Sequence, residues 1–299
     1  MTTTIDIEFR SGATTLRGWL IRPAAASAPS PVVVMAHGFS AVKEQSLPRF
    51  AGRFAEAGLA SLVFDNPGLG ASDGEPRGDL EPWAQVRAYR DAITFAGTRP
   101  ELDAARLGVW GSSFSGAHVL AVAAVDRRVR CVVSQVPLIS GFRALQRLSA
   151  AEAFGPMLEA LDADRRAVFA GAEPARMPVV SADPAGPAAL PGARAFDYFT
   201  RVAAAERWRN ECTLRTLDRV IEYDVTGFLP RIAPTPLLMI VAGNDTTTPT
   251  DEALSAFALA LEPKRVVITA GDHFAPYAEE FDRAAGAAAG WFREHLRAG

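Results

Sequence analysis

The chain has 299 residues, of which 49% are hydrophobic and 22% charged, with a formal net charge of −3. This is an ordinary globular composition, long enough for one large domain or for a domain carrying an insertion. It contains no basic stripe for nucleic acid or anionic lipid, and no apolar stretch approaches the ~20 residues that span a bilayer.

The start of the chain, Met1-Thr2-Thr3-Thr4-Ile5-Asp6, lacks a basic segment followed by an apolar core, so no secretory signal is expected. The two cysteines, Cys131 and Cys212, lie far apart and match no metal spacing. Cys131 opens an apolar run, which predicts a buried free thiol. A soluble, cytoplasmic protein is the expectation.

In chain order, residues 4–9 and 14–21 read as two strands joined at Ser11-Gly12, followed by an Ala/Pro/Ser linker. The apolar run 32–36 predicts a strand buried on both faces. Residues 47–58 read as a helix, 60–64 as a strand and 81–98 as a helix. A strand over 106–110, a helix over 114–124 and a strand over 131–136 follow. The alternation then stops. Helical patterns appear over 142–154, 156–169 and 195–209, with a Pro/Ala-rich loop over 177–192. It resumes with strands at 237–242 and 264–269 and a closing helix over 274–296. Eight strands alternating with helices predict an α/β fold with a mostly parallel sheet. The segment before residue 237 reads as an insertion. The division is therefore a core over 1–140, a helical cap over 141–233 and the rest of the core over 234–299; the alternative is a set of ordinary peripheral helices.

Three positions carry chemistry. Ser113 lies in Val109-Trp110-Gly111-Ser112-Ser113-Phe114-Ser115-Gly116, between a strand pattern and a helix pattern. This is the shape of a nucleophile elbow, whose sharp turn needs small residues two before and two after the serine. Here these are Gly111 and Ser115; the commoner pattern has glycine at the second position. Asp245 follows the strand 237–242, and His273 follows the strand 264–269. A serine hydroxyl needs a base, and the base needs an acid to fix its tautomer. Asp251 and Asp272 compete for the acid role; Asp251 suits the opening of the next helix, and Asp272 adjoins the histidine too closely to orient its ring. Of the other histidines, His118 suits packing and His295 a helix C-terminus. No metal cluster, phosphate loop or nicotinamide fingerprint is present, and no cofactor is expected.

These marks, with His37-Gly38-Phe39 and Asp65-Asn66-Pro67-Gly68-Leu69-Gly70-Ala71-Ser72-Asp73-Gly74, resemble the α/β-hydrolase superfamily over nearly the whole chain. Three runs resemble, more narrowly, the esterase and thioesterase-like hydrolases related to fungal polyketide transferases. They are Trp110–Gly116 of the elbow, Trp208-Arg209-Asn210-Glu211-Cys212-Thr213-Leu214-Arg215 and Pro234-Thr235-Pro236-Leu237-Leu238-Met239-Ile240.

The resemblance implies an α/β-hydrolase fold with an eight-stranded sheet and an inserted helical cap. It implies Ser113, Asp245 and His273 as catalytic residues acting on a small-molecule acyl ester or thioester. The backbone N–H of Phe114, just after the nucleophile, and that of Phe39 would form the oxyanion hole. His37 would hold the Phe39 loop, and Asp65 would organise the Gly68–Gly70 turn. Lys43-Glu44 reads as a solvated helix start. In the cap, Phe142, Tyr198, Phe199 and Trp208 are candidate acyl-pocket residues, with simple packing as the alternative. An acyltransferase or polyketide-releasing enzyme would use the same triad, and a non-catalytic binding protein could keep the same fold. Oligomeric state stays open; an exposed apolar cap face would favour a homodimer.

Overall fold

A computed structural model describes residues 1–24, 29–149, 151–183 and 186–297. Positions 25–28 of the predicted Ala/Pro/Ser linker lie outside the described residues, as do position 150 of the predicted 142–154 helix and positions 184–185 of the predicted loop.

The chain begins with a hairpin of β1 (Thr2–Ser11) and β2 (Thr14–Pro23), in register from Thr2 opposite Pro23 to Ser11 opposite Thr14. The core then runs β3 (Ser30–Ala36), α1 (Leu47–Glu56), β4 (Ala60–Phe64), α2 (Pro82–Ala96), β5 (Leu102–Ser112), α3 (Phe114–Val125) and β6 (Cys131–Gln135). The interposed segment holds α4 (Gly141–Leu148), α5 (Phe154–Phe169), the short strand β7 (Arg176–Met177), α6 (Ala193–Asp197), a π turn over Tyr198–Val202, β8 (Cys212–Thr213), α7 (Leu214–Ile221) and a 3₁₀ helix over Thr226–Arg231. The core closes with β9 (Leu237–Ala242), α8 (Thr250–Leu259), β10 (Lys264–Thr269), a 3₁₀ turn over Ala275–Tyr277 and α9 (Phe281–His295).

Eight strands form one sheet in the order β1-β2-β4-β3-β5-β6-β9-β10, with β4, β3, β5, β6, β9 and β10 parallel. The central strands β3, β4, β6 and β9 are apolar because both faces are covered. Alternation along β5 shows how. A side chain at Gly108 would strike Phe292 of α9, and Trp110 packs on Phe50 of α1, with ring centroids 4.8 Å apart. A side chain at Gly111 would instead meet Val119 of α3. Helices therefore lie on both faces, and the parallel strands β3, β5, β9 and β10 all direct their C-terminal ends to one edge, where Ser113, Asp245 and His273 follow them.

Among the described residues the interposed segment adds no strand to this sheet; β7 and β8 pair with each other. It is tied to the core by Asp79, which takes Thr213 Oγ1 at 2.7 Å and the guanidinium groups of Arg215 and Arg219 at 2.5 and 3.0 Å.

Three predicted helices change. The 195–209 pattern gives only α6 and the π turn: Gln45 Nε2 donates to the Ala203 carbonyl at 2.8 Å, and Trp208 folds back to stack on Phe199. The 142–154 helix ends at Leu148, and the break brings Phe154 edge-on to Phe142. The 274–296 helix is interrupted at Ala278, which leaves helical geometry after the Pro276 turn. Helix α7 was not anticipated, although Leu214, Leu217, Val220 and Ile221 carry helical spacing.

Candidate active site

Ser113 joins β5 to α3 at φ 59°, a backbone region that non-glycine residues avoid at a cost of about 1–3 kcal/mol. Its neighbours hold it there. Its N–H donates to Gln135 O at 2.8 Å, and its carbonyl accepts from Leu138 N at 3.1 Å. A Cβ on Gly111 would lie 2.1 Å from the Ser115 carbonyl oxygen, so only glycine lets the chain double back so closely. A Cβ on Gly38 would lie 2.8 Å from that of Ser113, which brings the His37-Gly38-Phe39 loop against the elbow. Serine at position 115 fits the variant elbow because its hydroxyl donates to the His37 carbonyl at 2.5 Å, tying the two loops together.

The structure brings Ser113, His273 and Asp245 together. His273 Nε2 is 3.0 Å from Ser113 Oγ, and its Nδ1 is 2.7 Å from Asp245 Oδ2. Both histidine and aspartate are buried. Asp245 Oδ1 accepts the backbone N–H groups of Thr247 and Thr248, each at 2.8 Å. The carboxylate is thus aimed by its own turn. Asp272, the rival acid, faces away and pairs with Arg194 at 2.9 Å; Asp251 pairs with Arg147 in the first turn of α8.

The backbone N–H groups of Phe39 and Phe114 have no acceptor among the described residues, and the Gly38 Cβ position lies 3.4 Å from Phe114 N. Beside them His37 is buried. Its Nδ1 accepts from Gly38 N at 2.7 Å, which leaves Nε2 to donate to Tyr198 Oη at 3.0 Å.

A sequence profile described as the alpha/beta hydrolase family matches residues 33–288, most of the chain. The chain belongs to the alpha/beta hydrolase family. The polyketide transferase GrgF of a Penicillium species is 32% identical over 271 residues, covering 89% of this chain and 87% of its own. The thiohydrolase AneE of Aspergillus aculeatus is 32% identical over 244 residues, covering 80% and 77%. The crystal structure of GrgF superimposes with a TM-score of 0.85 at 30% identity, covering 98% of this hydrolase and 99% of that chain.

Two cavities meet at Ser113 in this hydrolase. One, with about 400 Å³ of empty volume partly open to solvent, is apolar; Leu138, Leu145, Leu148, Leu190, Leu217 and Val220 line it along with Phe39 and Phe114. The other, of about 260 Å³ and likewise partly open to solvent, lies on the His273 side among His37, Tyr198, Phe199, Phe274 and Tyr277. Of the predicted pocket aromatics, Tyr198 and Phe199 therefore reach the site. Phe142 does not: it is 42% exposed and packs on Phe154, because α4 turns Ala144, Leu145 and Leu148 toward Ser113 instead. Trp208 backs Phe199 rather than lining either cavity, with centroids 5.0 Å apart.

Lys43 also departs from expectation. It is buried, not solvated: its ammonium lies 2.8 Å from Asp65 Oδ2 and 4.6 Å from the centre of the Trp19 ring. Asp65 holds its turn as the resemblance implied, accepting from Ala71 N at 2.9 Å. Among the described residues no group of three or more His, Cys, Asp or Glu side chains could hold a metal ion, and no helix is long and apolar enough to cross a membrane.

Sequence reasoning missed Thr248. Its hydroxyl lies 2.9 Å from Asp245 Oδ2, 3.1 Å from His273 Nδ1 and 3.0 Å from the Val136 carbonyl. Thr248→Val keeps the shape and the backbone N–H but removes this bridge. It is expected to lower kcat/KM about tenfold, the worth of one hydrogen bond to a charged group, with KM little changed. Steady-state kinetics on an activated ester check this; an unchanged kcat would deny the hydroxyl any part in aligning the pair.

Burial also sets an acid limit. His37 and His118 are both pushed down from 6.5 to about 3, chiefly by burial. His118 is held neutral between Tyr223 Oη at 2.8 Å and Gln85 Oε1 at 2.9 Å. The unfolded chain binds these protons near pH 6.5, whereas the native state binds them only near 3. Their contribution to stability is thus complete above 6.5 and is lost as pH falls toward 3. Melting temperature is expected to fall across that window, with a shallower fall in His118→Gln; equal slopes for the two proteins would contradict it.

Proposed function

We propose that the chain is a serine hydrolase of carboxylic esters and thioesters, with Ser113 as nucleophile, His273 as general base and acid, and Asp245 as its orienting acid. The observation that carries this is the Ser113–His273–Asp245 relay opening onto an apolar cavity. His273 Nε2 takes the Ser113 proton as Oγ attacks the acyl carbon. The oxyanion is received by the Phe39 and Phe114 N–H groups, and the proton then passes to the departing alcohol or thiol. Water repeats the sequence on the acyl-serine, releasing the acid. Asp245 stabilises the transient imidazolium.

We assign residues 141–233 as a cap that selects the acyl part, since α4 and α7 supply Leu145, Leu148, Leu217 and Val220 to the cavity wall. The names of the relatives support thioesters and polyketide-like acyl groups as substrates. They also support acyl transfer to an acceptor other than water as the second reading. The buried free thiols of Cys131 and Cys212 fit a cytoplasmic setting.

Acyl thioesters and p-nitrophenyl esters of increasing chain length, supplied with and without an alcohol or amine acceptor, test the proposal. Turnover is expected to rise and then fall with chain length. Leu145→Trp is expected to cut turnover of the longer members about tenfold or more while sparing acetyl, because a few methylenes in such a pocket are worth that much. A length profile that Leu145→Trp leaves unmoved removes the cavity from acyl selection. Acceptor-linked product exceeding the free acid establishes the transferase reading.

A further inference from the structure

Behind the oxyanion loop lies a second, polar pocket that the reaction above does not use. Phe39 lines the cavities at Ser113, and the next residue, Ser40, lines this one. It spans about 310 Å³, part of it open to solvent, between the Gly68-Leu69-Gly70 turn and the 207–211 segment, and three arginines line it, Arg77, Arg207 and Arg209.

We propose that this pocket binds an oxyanion, phosphate or carboxylate, carried by the substrate at a distance from its scissile bond. Arg77 is anchored by backbone carbonyls rather than by a carboxylate: it donates to Gly70 O at 2.7 Å and to Ser72 O. Among the described residues, Arg207 and Arg209 have no carboxylate partner. The carboxylate on the pocket wall, Glu211, is already paired with Arg176. Asp65 and Asp73, which also act on Arg77, are paired with Lys43 and Arg17; Glu75, which acts on the guanidinium too, accepts from the backbone N–H of Arg77 at 3.0 Å. Burial first, and then the neighbouring Arg209, hold the Arg77 guanidinium below its ordinary value, against the opposing pull of Glu75, Asp65 and Asp73.

A second observation points the same way. Ser40 is 1% exposed, and its hydroxyl has no hydrogen-bond partner. Buried hydroxyls are almost always paired, so an orphan lining a pocket marks a place for an external acceptor. Planar guanidinium groups with a hydroxyl suit a phosphate or carboxylate, which they can grip with paired hydrogen bonds. Ser40 adjoins Phe39, so the pocket wall and the oxyanion loop are consecutive in the chain.

The proposal rests on the ester and thioester reading, and its test separates the two. S-acyl pantetheine 4′-phosphate is compared with S-acyl pantetheine, and a dicarboxylic mono-thioester with its methyl-capped form. The wild type is expected to prefer the anionic member of one pair by about tenfold or more in kcat/KM, through KM. In Arg207→Gln/Arg209→Gln that ratio is expected to fall toward one. Which pair discriminates tells whether the anion is a phosphate or a carboxylate. No preference in either pair, or a preference that survives the double substitution, overturns the pocket while leaving the hydrolase reading intact. Should no substrate be turned over, the hydrolase reading fails on its own. Calorimetric titration with pantetheine 4′-phosphate and with succinate then decides the pocket: binding by the wild type that the double variant loses supports it, and absent or equal binding overturns it.

Discussion

Ser113→Ala is expected to abolish labelling by a fluorophosphonate probe and to lower kcat/KM on an activated ester by about 10⁴- to 10⁶-fold. His273→Ala should cost about as much, and the double variant little more than either alone. The hydroxyl is useful only when its proton has somewhere to go, and the imidazole 3.0 Å away is useful only when a hydroxyl is there to give one. Removing either ends the covalent route. What remains is the residual catalysis of backbone N–H donors and binding. The neighbouring serines offer no substitute. Ser112 is buried against Tyr277 Oη and the Gln135 amide, and the Ser115 hydroxyl is spent on the His37 carbonyl. Alanine suits the positive φ at 113 no better and no worse than serine, so melting temperature should barely move. Labelling that persists in Ser113→Ala would falsify the assignment of the nucleophile.

The residues of this relay were legible in the sequence because each obeys a local rule. The elbow demands small residues at fixed offsets, which Gly111 and Ser115 satisfy, and Asp245 and His273 each follow an apolar strand run. The sheet was legible for the same reason, since β3, β4 and β9 are buried on both faces and read as unbroken apolar segments. The interposed segment was harder. Apart from α5, with 16 residues, its α-helices have eight residues or fewer, too short for a clear helical period. The 195–209 pattern was cut by Gln45, a residue more than 150 positions away, taking the Ala203 carbonyl. The pocket lining was half legible: Tyr198 and Phe199 stand where aromatic character suggested, but Phe142 is turned out while the plainer Leu145 and Leu148 face Ser113. Thr248 and Tyr277 carry no motif, and only the folded chain shows what their hydroxyls touch. The same holds for the basic pocket, whose arginines come from segments more than 100 residues apart.

Lys43→Met is expected to destabilise the protein by about 3–5 kcal/mol, a shift in melting temperature of roughly 10 °C. Two adjoining charges at the start of a helix would ordinarily be solvated, and sequence gives no reason to treat these otherwise. In the fold the Lys43 ammonium lies over the ring of Trp19 of β2 and meets the Asp65 carboxylate, whose side chain is fully buried. Methionine fills much of the same space, so the loss is electrostatic. It leaves Asp65 with the Lys43 and Ala71 N–H groups and no cation in contact. Burial already raises the Asp65 carboxyl above its ordinary range even with Lys43 beside it. Taking away the lysine raises it further. A carboxyl whose folded value lies above its unfolded value favours the native state while protonated, and that advantage disappears as pH rises through the folded value. The variant should therefore lie closest to wild type in mildly acidic buffer and fall furthest below it at neutral pH and above. Denaturant titrations of both proteins across that range check the sign. A loss independent of pH would mean that Lys43 acts by packing against Trp19 rather than by neutralising Asp65. Because Asp65 fixes the turn at Gly70, whose carbonyl takes Arg77, the same variant should also loosen the wall of the basic pocket.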